Sequence, residues 1–99
     1  MSRAPRIFLV CYDISDPRRL QRVYKVMRGF GDHLQYSVFR CTLSEMQLAQ
    51  LTDRLAQEIH HAEDQVLFVP LGSVEAERPV RMTTMGRPMT HPERVVRVL

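Results

Sequence analysis

The sequence has 99 residues, 44% of them apolar and 25% charged, which is one domain's worth and excludes a second; chains this short bury only about 60–65% of the surface they expose when unfolded. No apolar run reaches the roughly 18–20 residues of a spanning helix, and the opening MSRAPRIF lacks a secretory pattern, so the expected setting is the cytoplasm, with no membrane partner. The net charge of +3 conceals an asymmetry: residues 1–40 carry eight basic side chains against three carboxylates, residues 41–77 hold Arg54 against seven, and residues 78–99 return to five against one. Thirteen of the fourteen basic residues are arginine, whose planar fork grips phosphate bidentately, so a polyanionic partner is the first expectation. Cys11 and Cys41 lie in apolar runs and are expected as buried thiols, not as a disulfide.

In chain order, Ile7 to Tyr12 is a six-residue apolar run closed by Asp13, the pattern of a central strand buried on both faces. Ser15-Asp16-Pro17 supplies an N-cap oxygen and a proline for the first helical position. The helix that follows buries Leu20, Val23, Tyr24, Met27 and Phe30 at helical spacing, places Arg18, Arg22 and Lys25 on another face, and stops at Gly29 and Gly31. Residues 31–43 are rich in strand formers and hold either a tight hairpin near Tyr36-Ser37-Val38 or one long bent strand. Ser44 with Gln47 reads as a capping box, opening a second helix with the stripe Leu48, Leu51, Leu55 and Ile59 that runs to about His61. Val66 to Val69 is another buried strand, and further strands are expected at residues 80–85 and 95–99, separated by Gly86, Pro88 and Pro92. The order fits an α+β class, a ferredoxin-like βαββαβ sandwich, with an extra C-terminal strand whose natural neighbour is a second copy of the chain.

Asp13, at the end of a central strand, is placed where a hard oxygen could hold Mg²⁺ or Mn²⁺ beside phosphates. One carboxylate makes a poor site, but a two-fold axis would let each of two chains supply one ligand. Tyr12 points to the opposite face, as a core aromatic or with its hydroxyl at the rim. Arg18, Arg19, Arg22, Lys25 and Arg28 form either a nucleic-acid-binding row or a solvated helix face. Asp16 reads as a cap. His33 lies near a strand start, while His60 and His61 diverge on a helix and His91 sits in a loop. There is no P-loop, no G-x-G-x-x-G and no nucleophile elbow.

Three strings together are specific. Tyr12-Asp13-Ile14-Ser15-Asp16-Pro17-Arg18-Arg19, then Gly31 and Gln35-Tyr36-Ser37-Val38-Phe39-Arg40-Cys41, then Asp64-Gln65-Val66 with Pro70-Leu71, resemble the CRISPR-associated protein 2 family over roughly residues 6–72. The resemblance implies a homodimer in which residues 1–78 form the ferredoxin-like domain and the segment 79–99 adds a strand to the partner's sheet. It implies a place beside the adaptation integrase, CRISPR-associated protein 1, during spacer acquisition, with DNA as ligand and RNA as the alternative. It also implies metal-dependent endonuclease activity, with Asp13 as the catalytic metal ligand and Tyr12 and Phe39 at motif positions beside it. His33 departs from the arginine usual at its place in the family. A purely structural DNA-binding scaffold is the alternative reading, and a metabolite-binding regulatory domain is a third that lacks any motif.

Overall fold

A computed structural model describes residues 4–75, 81–87 and 96–98 of the protein. Its elements run β1 (Arg6–Asp13), α1 (Pro17–Arg28), β2 (Asp32–Gln35), β3 (Val38–Leu43), α2 (Glu45–Glu58), β4 (Gln65–Ser73), β5 (Met82–Thr84) and β6 (Val96–Val98). The first four strands make one antiparallel sheet in the order β2-β3-β1-β4, the split-βαβ arrangement expected from the alternation of strands and helices.

Alternation along β1 decides where the core lies. Phe8, Val10 and Tyr12 point to one face and pack with Phe39, Cys41 and Leu43 of β3, Val23, Val26 and Met27 of α1, and Leu51 and Leu55 of α2. Both helices therefore cover the same face. The other face carries Leu9, Cys11 and Val38, with Leu67 and Val69 beside them across the β1–β4 ladder, and Leu67 is 53% exposed.

The helix starts follow the sequence. The Asp16 carboxylate accepts from the Arg18 and Arg19 amides at 3.0 and 2.9 Å, with Pro17 in the first turn. Ser44 and Gln47 exchange both bonds of a capping box. Two expectations need correction. Leu20 is exposed and Val26 takes the core position in its place, because the buried arc of α1 is set by where α2 and the sheet press on it. The second helix ends at Glu58, not near His61; the His60 amide is captured at 2.8 Å by the Asp64 carboxylate, which turns the chain out of the helix.

The segment 31–43 is a hairpin. Gln35 pairs with Val38, leaving a two-residue turn of Tyr36 and Ser37, and a bulge at Leu34 separates it from the His33–Phe39 pair. β5 and β6 pair with each other in parallel; residues 80, 95 and 99 of the expected strands lie outside the described residues. β5 borders a groove of about 740 Å³ along Leu9, Leu34 and Val38 of the uncovered sheet face.

Candidate nucleic-acid and metal site

Asp13 is the last residue of β1 and exposed, and its carboxylate accepts no hydrogen bond among the described residues. It opens into a groove of about 950 Å³ walled by Ile14, by Leu20, Tyr24, Lys25 and Arg28 of α1, and by the Tyr36-Ser37 turn. Tyr12 also lines this groove. Burial, together with the neighbouring Tyr24, pushes the Tyr12 hydroxyl up to about 12. It therefore stays protonated at physiological pH. The Tyr12 amide donates to the Ser37 carbonyl at 3.1 Å, tying the end of β1 to the hairpin turn.

Phe39 is fully buried beneath the groove. Its ring stands 5.7 Å from Tyr24, 4.9 Å from His33 and 6.2 Å from Tyr12, so it sets the stance of three rings without reaching solvent. His33 meets Tyr24 edge-on at 5.2 Å. Its Nε2 lies 2.7 Å from the Tyr36 carbonyl and must carry the proton in that contact, since the carbonyl can only accept. Burial likewise pushes the Cys41 thiol up to about 12, leaving it protonated under the sheet.

The five cations of α1 divide into two groups. The Arg19 Nε donates to Asp64 at 2.8 Å and its terminal nitrogen reaches Asp64, Glu63 and Ser15. Arg22 pairs with Glu58 at 2.9 Å. Arg18, Lys25 and Arg28 make no ion pair among the described residues, and Arg28 lies 5.9 Å from the Tyr24 ring centroid. The predicted row is thus partly committed to holding α1 against α2 and the segment that follows it.

Asp64, which sequence reasoning placed only within a motif, is the hub of that commitment. Its side chain has no exposure. It accepts from the Ser15 amide and hydroxyl at 3.0 and 3.1 Å, from the His60 amide and from Arg19. The Arg19 guanidinium first, and then the His60 and Ser15 donors, hold its carboxyl well below the usual carboxylate range. This clamp fixes the loop that leaves Asp13. A carboxyl depressed in the fold contributes stability that is complete above its unfolded value of about 3.9 and is lost as the pH falls below it. Asp64→Asn is therefore expected to lower the thermal midpoint at neutral pH. The gap between variant and parent is expected to close as the pH drops from about 4 toward 2; a gap that stays constant would show that charge is not what Asp64 contributes.

A model of the CRISPR associated protein Cas2 family matches residues 6–78. The chain belongs to the Cas2 family. Among similar proteins, the CRISPR-associated endoribonuclease Cas2 of Geobacter sulfurreducens is 37% identical over 81 residues, covering 82% of this chain and 84% of its own. The CRISPR-associated endoribonuclease Cas2 2 of Thermodesulfovibrio yellowstonii is 48% identical over 64 residues, covering 65% and 70%. The crystal structure of Streptococcus pyogenes Cas2 is 32% identical and superposes with a TM-score of 0.63 over 67% of this chain and 86% of that one. Cas2 membership and a ferredoxin-like α+β fold therefore agree from independent directions, and the curated relatives carry the name endoribonuclease.

No described helix is long and apolar enough to cross a membrane. Among the described residues no cluster of three His, Cys, Asp or Glu side chains stands ready to hold a metal ion. One chain offers the hard oxygen of Asp13, which suits Mg²⁺ or Mn²⁺ in kind but not in number.

Proposed function

We propose that this Cas2-family chain acts in the cytoplasm as a homodimer in CRISPR adaptation, binding nucleic acid next to the CRISPR-associated protein 1 integrase and hydrolysing phosphodiester bonds. The observation that carries the reading is the groove itself, where an exposed Asp13 carboxylate, without a hydrogen-bond partner among the described residues, shares one cavity with Lys25 and Arg28. Phosphates would sit on the cations and a divalent ion on the carboxylate, each group answering a charge the other leaves. The apolar sheet face opposite the helices, with Leu67 half-exposed, supports a second copy as the covering partner, to which β5 and β6, paired with each other in this chain, would contribute strands.

In that dimer the Asp13 carboxylates of both chains would hold the ion, which meets the shortfall in ligand number. A bound Mg²⁺ or Mn²⁺ supplies an activated water and charge on the departing oxygen. The chain's own residues do the rest. The Tyr12 hydroxyl, kept protonated, donates at the groove wall; Phe39 holds the rings in place; Arg18, Lys25 and Arg28 position the backbone; and the Asp64 clamp keeps the loop after Asp13 from drifting.

Fluorescence anisotropy with labelled duplex and single-stranded oligonucleotides across a salt series tests the binding half. Affinity is expected to fall steeply with salt. Replacing Arg18, Lys25 and Arg28 together by Ala is expected to flatten the log–log slope by about 0.7–0.9 for each phosphate that is no longer neutralised. An affinity indifferent to salt, or a slope unchanged in the triple variant, would sink this assignment.

A further inference from the structure

The geometry points to Tyr36 as a stacking platform for a nucleobase, making the Asp13 groove select unpaired nucleotides over duplex; the inference rests on the nucleic-acid reading above and assigns its specificity to one side chain. Tyr36 is 87% exposed and has φ +38°. A two-residue hairpin turn asks for that left-handed backbone, and Gly, Asn or Asp provide it with least strain. A bulky ring is the costly choice there and contributes nothing to the core. Strain retained at an exposed position is a pointer to function.

The surroundings say which function. Tyr36 lines the same groove as Asp13, whose apolar walls are Ile14 and the exposed Leu20 and whose cations are Lys25 and Arg28. The groove, at about 950 Å³, lies within the range that receives one small ligand. A flat aromatic surface, an apolar wall and flanking positive charge match a nucleotide: base on ring, phosphate on cations. The turn is also fixed in advance. His33 Nε2 donates to the Tyr36 carbonyl at 2.7 Å and the His33 ring is wedged against Tyr24 and Phe39, so little ordering remains to be done on binding. A base inside a duplex has both faces stacked and cannot offer one to Tyr36, whereas an unpaired base can.

The test compares Tyr36→Asn, which removes the ring and suits the left-handed turn, with Tyr36→Phe, which keeps the ring. Binding of a fluorescein-labelled single strand and of a blunt-ended, fully paired duplex of equal length is measured by anisotropy at one low salt concentration. Tyr36→Asn is expected to weaken the single strand about tenfold or more, the loss of one stacked base, while duplex affinity stays within about twofold and Tyr36→Phe binds both as the parent does. If the parent binds and Tyr36→Asn leaves single-strand affinity unchanged, or weakens both forms equally, the stacking role is refuted while the nucleic-acid reading stands. If the parent binds neither oligonucleotide at low salt, both fail.

Discussion

Asp13→Asn is expected to abolish Mg²⁺- or Mn²⁺-dependent cleavage, by about a hundredfold or more, while leaving oligonucleotide affinity within about twofold. Disturbing a group that merely orients a metal ligand costs 10–100-fold, and removing the ligand's charge costs at least that. Asn keeps the shape of the side chain, and the Asp13 carboxylate accepts no hydrogen bond among the described residues, so the fold has little to lose. Sharing adds a sharper signature. If two chains each supply one carboxylate, mixing parent and variant at equal amounts and letting the subunits exchange leaves only about a quarter of the dimers with both ligands. Activity should then follow the square of the parent fraction, where independent sites would give a straight line. Cleavage that persists at full rate in Asp13→Asn removes the metal role, and a parent that never cleaves with either ion leaves the scaffold reading in possession.

Where the sequence was legible, short-range chemistry made it so. Asp16 with Pro17, and Ser44 with Gln47, satisfy helix amides two and three residues away, so both helix starts could be read directly. The end of β1 at Asp13 was equally readable, because a carboxylate closing an apolar run marks where a buried strand meets solvent. The hairpin was legible only as one of two alternatives for residues 31–43. Its turn carries Tyr36 where turn chemistry would put glycine or asparagine, so the usual signal that decides for a tight turn was missing. Long-range pairing was hidden as well. Arg19 looked like its neighbours on α1, and nothing local said that Asp64, 45 residues on, would capture it. The same carboxylate cut α2 short by taking the His60 amide. The basic row thus read as one set of cations, while the fold commits Arg19 and Arg22 to ion pairs and leaves Arg18, Lys25 and Arg28 without one among the described residues.

Gly31→Ala is expected to destabilise the domain by about 3 kcal/mol or more, the upper end of what overpacking a close-packed interior costs. Gly31 is the point at which the chain leaves α1 for β2, its amide donating to the Met27 carbonyl at 3.0 Å. A methyl group there would run into the Cys41 Sγ and would come within 2.6 Å of the Arg40 carbonyl oxygen. The thiol belongs to a fully buried side chain and the carbonyl to the middle of β3, so neither can step aside without moving the strand that carries Phe39. Against a total stability of roughly 5–15 kcal/mol for a domain of this size, that loss would pull down the urea midpoint and loosen the aromatic floor of the groove. Gly29→Ala, two residues earlier, is the matched control. Its backbone is right-handed helical, and the nearest atom to an added methyl is the Val26 carbonyl oxygen at 3.4 Å, so a change near zero or a gain of up to about 1 kcal/mol is expected. Urea unfolding at one protomer concentration separates the two, since a midpoint that also reports dimerisation shifts with concentration. Adding Cys41→Ala to Gly31→Ala relieves the clash with sulfur but not the one with the carbonyl, and should recover only part of the stability. Equal midpoints for the two glycine variants would mean that β3 yields where its packing says it cannot.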